Sequence, residues 1–388
     1  MVLGDYNTLL GSYNLVNGSA NTVEGYVNNV QGDLNLIDDG NFNTIDGHQN
    51  IINEGHYNTI DGSGNYVEGS VNYLDGNVNV VDGNYNVLSG DLNLAAGDGN
   101  TIDGSCNEVV GDTNIVIGDE NDLNGNENTV VGDCTTLQGD SNLVAGTCNT
   151  AIGDDNTLLG DCNTVVGSDN EASGSSNDIY GNDNTLIGYD NSAIGDENLL
   201  VGTENVAVGD TNTLIGNQNV AYGDDNLAAG CNNTVIGYDN TAIGESNLAY
   251  GTNNTALGNE NTLIGDSNLA NGDANYVYGG DNLVGGDCNT VEGFDNTVIG
   301  DVNLVEGTTN YLDGSYNTVA GSDNDVVGGS NYVYGSGNTI VSSDGCTSGE
   351  ICYPDLPDYP SCKPIYTDCG NTCDPCCQTS CCEPTCGC

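Results

Sequence analysis

The side chains in this sequence that could do chemistry are carboxylates, thiols and two imidazoles, and their spacing limits what they can do. Catalysis needs a few unlike groups converging on a pocket. Here like groups stand in rows: Asp112, Asp119, Asp133, Asp140, Asp154, Asp161, Asp196 and Asp210 all fill the same place in a seven-residue unit. Such rows repel at low salt and attract divalent cations, so weak, multiple Ca2+ binding is the metal chemistry they allow. Their spacing matches neither the EF-hand loop nor the glycine-rich nonapeptide, so no dedicated metal site and no cofactor is implied. The only histidines, His48 and His56, sit at turn positions and read as solvated. With no nucleophile–base pair and no phosphate loop, the chain reads as a non-enzyme without a small-molecule substrate.

Among the 17 cysteines two groups stand out. Cys134, Cys148 and Cys162 are each fourteen residues apart. If fourteen residues make one coil of a stack, their separation approaches what a disulfide tolerates, which leaves an inter-coil staple open. A second group crowds the end of the chain: Cys346, Cys352, Cys362, Cys369, Cys373, Cys376, Cys377, Cys381, Cys382, Cys386 and Cys388. Pro354, Pro357, Pro360 and Pro364 make that stretch, residues 342–388, irregular and non-helical. A disulfide-stapled cap and a thiolate metal cluster compete there, and the disulfide reading is favoured. The odd number, 11 here and 17 overall, leaves one cysteine for a bond between chains unless a thiol stays free.

What must position these groups is the repeat itself. From Gly4 to about residue 341 the chain is written in one unit, Gly-x-x-Asn-x-φ-x, where φ is Leu, Val, Ile or Ala. The asparagines include Asn7, Asn14, Asn21, Asn65, Asn156, Asn184, Asn212, Asn240, Asn261, Asn296 and Asn338, with Thr135 the one exception. A coiled-coil heptad is excluded, because one glycine per heptad costs about 1 kcal/mol in helix propensity and no a/d apolar pair is present. Asn and φ are two residues apart and share one face of a strand. Each unit therefore reads as a short strand with a Gly-led turn, and residues 1–341 as an all-β parallel β-solenoid. The stacked Asn amides would form a buried ladder, each donating to and accepting from its neighbours; without such partners a buried amide is costly.

Coils of two units (14 residues) and of three (21) are both compatible with the period. Leu186, Ala193, Leu200, Ala207, Leu214 and Ala221 alternate large and small, as two facing sheets would want. Single-residue insertions near Asp39 and Glu54 lie fifteen residues apart, which stacks them at one corner of 14-residue coils. Against this, Leu248 and Leu269 head similar units at a spacing of 21. The 14-residue coil is the favoured expectation.

Segments such as Asn191-Ser-Ala-Ile-Gly-Asp-Glu-Asn198 and Asn240-Thr-Ala-Ile-Gly-Glu-Ser-Asn247 resemble the head repeats of trimeric autotransporter adhesins, the YadA-like group. The resemblance implies a left-handed parallel β-roll with 14-residue coils and a role in surface attachment. The chain departs from that family in using Asn where the family mostly has Ser or Ala. It also carries neither the coiled-coil stalk nor the membrane-anchoring barrel.

Function has to be read from what varies. The last position of the unit points outward. It is mostly acidic or amide early in the chain (Glu24, Asp38, Asp46, Asp61, Glu68, Asp75, Asp82, Asp103). Later it turns apolar, including Ile187, Ile194, Val201, Val208, Ile215, Ile236, Ile243 and Ile264. An exposed apolar row marks an interface, so self-association into a trimer or fibre is expected through these residues. Outward threonines at 129, 136, 150, 157, 164, 234, 241, 255 and 262 resemble the hydroxyl array of ice-binding solenoids, but Leu143, Glu171, Asp178 and Leu248 interrupt them. With 57 acidic residues against one base, Lys363, and a formal charge of −56, nucleic acid is excluded as a partner. No stretch approaches the roughly 18 apolar residues of a membrane span, and no secretory signal is visible before Gly4. The expected role is a structural protomer of an extracellular or cell- or virion-surface fibre. An adhesin-like or ice-binding rod is the alternative.

Overall fold

A computed structural model describes residues 1–341, which are strands and turns with no helix. The cysteine-rich stretch 342–388, with its expected disulfides, lies outside the described residues. The chain divides into two compact units, Met1–Asp183 and a second that begins at Asn184. Both follow the same plan.

Each seven-residue repeat contributes one strand, three to five residues long, beginning at the residue after the Asn. Strands pair in parallel with the next strand but one, fourteen residues on. In the first unit Leu15–Asn17 pairs with Asn29–Gln31, Val16 facing Val30. In the second, Thr185–Tyr189 pairs with Leu199–Thr203, Leu186 facing Leu200. Successive repeats therefore alternate between two sheets, and the coil is two repeats long. The 21-residue coil is excluded by this register.

Every φ residue from Val16 to Val333 is buried, most of them at 0% exposure, and within each unit φ residues of paired strands face one another. The alternation at Leu186, Ala193, Leu200 and Ala207 puts leucines in one sheet and alanines in the other, all at 0%. A thin core is enough because each coil needs to bury its apolar residues only against its neighbours.

The turns explain the invariant glycine. At Gly216 φ is +116°, and a Cβ there would overlap the carbonyl oxygen of Gly230 in the next coil. No L-residue fits both constraints. The two insertions fall at the same corner of adjacent coils, as the 14-residue coil requires: Leu36 faces Ile51 at a spacing of fifteen. There Asp39 (φ 45°) and Glu54 (φ 49°) take the left-handed conformation that the glycine holds elsewhere. Beside them Phe42 and Tyr57 stack, centroids 4.8 Å apart and planes at 1°.

Candidate functional site

The asparagine at the fourth position is buried along the described chain, with Asn7 and Asn338 at the two ends half-buried. Asn156 shows the bonding. Its Nδ2 donates to Asn142 Oδ1 (3.0 Å) and to the Gly167 carbonyl (2.8 Å), and its Oδ1 accepts from the Asn170 backbone amide (3.1 Å). The same donation to a glycine carbonyl eleven residues on is made by Asn7, Asn14, Asn21, Asn65, Asn184, Asn240, Asn261 and Asn296. Asn212 and Asn338 donate to the Oδ1 of the asparagine one coil back. Each amide thus ties one coil to both neighbours and satisfies a turn carbonyl that the sheets leave over. Thr135 breaks the series: its own amide still reaches Asn121 Oδ1 (2.9 Å), but its hydroxyl is buried without a partner.

The aspartates of the second position have a structural task that their sequence did not reveal. Asp112 Oδ1 accepts from the Asp98 backbone amide at 2.7 Å, and Asp210 Oδ1 from that of Asp196 at 2.8 Å. Asn and Ser do the same elsewhere, as at Asn126 and Ser105. At Asp161 two donations from Thr147, backbone and hydroxyl, hold the carboxyl below its usual range. His48 and His56 stand in the same place, and each lends Nδ1 as the acceptor, to the amides of Asp33 (2.9 Å) and Asn41 (3.0 Å). They are therefore turn acceptors and not merely solvated rings. Among the described residues no three His, Cys, Asp or Glu side chains converge as a metal cage.

Cys134, Cys148 and Cys162 are exposed free thiols, as is Cys106, so the inter-coil staple is not formed. All three share φ 58° and point the same way from successive coils. Parallel Cβ vectors keep one strand spacing, about 4.8 Å, whereas a disulfide wants Cβ atoms about 3.8 Å apart. The Cys134 thiol donates to Glu120 (3.5 Å), and that bond with the surrounding carboxylates pushes its pKa up.

The outward apolar row is two rows. Ile187, Val201, Ile215 and Ile243 lie on one sheet of the second unit; Ile194, Val208, Ile236 and Ile264 lie on the other. Two-repeat coils send alternate repeats to opposite faces, so a stripe continuous in sequence is split in space. All eight point outward, with Ile187 42%, Ile194 48% and Ile215 46% exposed. The threonines divide in the same way.

The two faces differ in relief. On the sheet that runs from Thr185–Tyr189 to Thr297–Ile299, the first and third residue of every strand is uncharged. Thr185, Thr213, Thr241, Thr255 and Thr297 form a file with Leu199, Leu227, Leu269 and Leu283, beside a second file led by Ile187, Val201 and Ile215. The opposite sheet carries exposed rings at Tyr222, Tyr250 and Tyr278. Many carboxylates stand in the turns, as at Asp196, Glu197, Asp210 and Asp225, while Glu292 lies in a strand of the opposite sheet. In the early coils of the first unit the polarity is reversed. Asp46, Asp61 and Asp75 stack in register on a face, while Tyr13, Phe42, Tyr57 and Tyr85 are exposed at the turns. Further along that unit Val110, Ile117, Val131 and Leu159 are exposed apolar residues on its sheets.

Uncharged faces on a two-repeat parallel coil, held by an inner Asn ladder, define a β-roll repeat protein. Residues 16–111, 106–181, 173–265 and 264–349 each match the family model of the grass antifreeze beta roll, and the chain belongs to that family. It is a β-roll repeat family and not a family of enzymes. The matching model is that of the antifreeze roll, and it does not confirm the likeness to the adhesin heads. A search of curated proteins finds no match. No helix among the described residues is long and apolar enough to cross a membrane.

Proposed function

We propose that this chain binds ice, through the outer face of the sheet that runs from Thr185 to Ile299. The observation that carries the reading is that face's eighteen outward positions, uncharged on a chain of net charge −56. Ice offers no ions to pair, so a charged face would lose its hydration without return. Side chains repeated at one strand spacing, about 4.8 Å, give a rank of hydroxyls and methyls able to order water in a lattice-like layer. The leucines that interrupt the threonines keep the face uncharged and even, so they do not end the array. The family's antifreeze name supports the same reading. Such a protein acts where ice grows, outside cells or on their surface.

The test is recrystallisation of ice in dilute solutions of the full chain. Wild type should keep crystals small. Thr213→Tyr with Thr241→Tyr, which roughen the face, should abolish the effect, and Val220→Tyr with Thr234→Tyr on the opposite sheet should leave it intact. Wild-type protein that lets crystals coarsen like a control protein refutes the proposal.

Assembly between copies is a second reading, and it is favoured by the opposite sheet. There Ile194 (48% exposed) and the rings of Tyr222, Tyr250 and Tyr278 offer an apolar face with relief that a second copy can grip. Sedimentation should show concentration-dependent association that Tyr250→Glu removes; a monomer at all concentrations rejects it.

A further inference from the structure

The three stacked thiols of the first unit have no part in ice binding. Cys134, Cys148 and Cys162 occupy one turn position in three consecutive coils, exposed and unoxidised. Their coils are locked in step by backbone bonds, Cys148 N–H to Asp133 O and Cys162 N–H to Thr147 O, both 2.9 Å. Equal φ at all three sends their Cα–Cβ bonds out in parallel, so one rotamer brings neighbouring thiols into line. That spacing is too wide for a disulfide, yet it suits another bond. A metal–thiolate bond is about 2.3 Å, so two in line span about 4.6 Å, close to one strand spacing.

We propose that Cys134, Cys148 and Cys162 form a linear site for soft monovalent cations of the copper(I) class, each ion bridging two stacked thiolates. Two-coordinate linear geometry needs only two sulfurs per ion, so the lack of a three-ligand cage does not bear on it. Thiolate is the ligand type such cations select. One ion fills the site at a time, as Cys134–M–Cys148 or Cys148–M–Cys162, because one thiolate cannot hold two ions in line on opposite sides. One M+ displaces two thiol protons, no electron is transferred, and the filled pair carries one negative charge. The surrounding field favours cations, with Glu120 at the end of the column and Asp133 and Asp161 beside it. Because each ion displaces thiol protons, occupancy falls as pH falls.

Cys106 supplies an internal control. It is free and exposed at the same turn position, but Glu120 stands in the coil between it and Cys134. The experiment uses reduced full-length protein, Ag+ as the probe, and an excess of glutathione to strip singly held ions. Iodoacetamide alkylation is then followed cysteine by cysteine through peptide mass spectrometry. Alkylation of Cys148 should slow at least tenfold on adding Ag+, that of Cys134 and Cys162 about twofold each, with Cys106 unchanged. Cys148→Ser leaves two coils between the outer thiols, beyond one ion's reach, and should return Cys134 and Cys162 to the rate of Cys106. Serine is tolerated at this position, as Ser141 and Ser176 show. Equal protection of Cys106, protection that survives Cys148→Ser, or a Cys134–Cys148 disulfide in air-exposed protein overturns the proposal.

Discussion

Replacing Thr135 by Asn should stabilise the first unit, and the ladder sets the size of the gain. A regular step, Asn142 on Asn128, makes three bonds at 2.9–3.1 Å: backbone N–H and Nδ2 to Asn128 Oδ1, and Nδ2 to the Gly153 carbonyl. Its own Oδ1 then accepts from the Asn156 amide at 2.9 Å. At position 135 only the first of these survives, and the buried hydroxyl has no partner. Asparagine, close to threonine in volume, would restore about three bonds worth about 1 kcal/mol each and remove an orphaned hydroxyl worth about 1 more. The sum is about 4 kcal/mol, felt locally because solenoid stability adds coil by coil. At about 1.4 kcal/mol per decade, hydrogen exchange at the Asn149 amide should slow about a thousandfold. Asn128→Thr should do the reverse at Asn142. Exchange at Asn149 that changes less than threefold would refute the idea that the ladder's side-chain bonds, and not the sheets alone, hold the coils together.

Other substitutions and conditions probe the rest of the frame. Gly216→Ala should unfold its coil locally, seen as new proteolysis there, because its Cβ would overlap Gly230 O. Gly285→Ala, an outward strand position with nothing within 4 Å, should be neutral or gain about 0.5 kcal/mol in thermal or urea melts. The Asp161 carboxyl is held low by the backbone and then the side-chain bond from Thr147. Its contribution to stability is therefore present above the ordinary carboxylate value of about 3.9 and lost as pH falls through the depressed one. The Thr147 amide shift should titrate below that value, and a midpoint above it rejects the bond. Weak, multiple Ca2+ binding at the Asp46–Asp61–Asp75 column should give a shallow rise in melting temperature that Mg2+ matches; a saturable, Ca2+-specific rise would mean a built site instead.

Most of the frame was legible because it repeats. Asn and φ two residues apart gave the inner face, and the Leu186–Ala193–Leu200 alternation with the paired insertions gave the 14-residue coil. What stayed hidden was set by backbone geometry that residue type does not announce. The third position is left-handed throughout, even where it is Val27, Val71 or Val78, β-branched residues that rarely accept φ near 60°. Bonds from coil to coil impose it, as between Val71 N–H and His56 O. The same holds for the second position, where Asp98, Asn126, Ser105 and His48 look unrelated yet all serve as acceptors for a neighbouring coil's amide. The face was misread for a different reason. Reading Ile187 through Ile264 as one row ignored the consequence of the very coil length the sequence favoured.

That alternation of repeats between sheets also gives the chain a parity. Loss or gain of fourteen residues by replication slippage removes or adds one whole coil, and every later residue stays on its face. Loss of seven would carry each downstream Thr185-type strand to the tyrosine-bearing side and exchange the two surfaces from that point on. The insertions at Asp39 and Glu54 obey a similar rule, since a lone extra residue would find no matching bulge in the coil above. Length is thus free to drift in even steps, while odd steps are visible to selection at once.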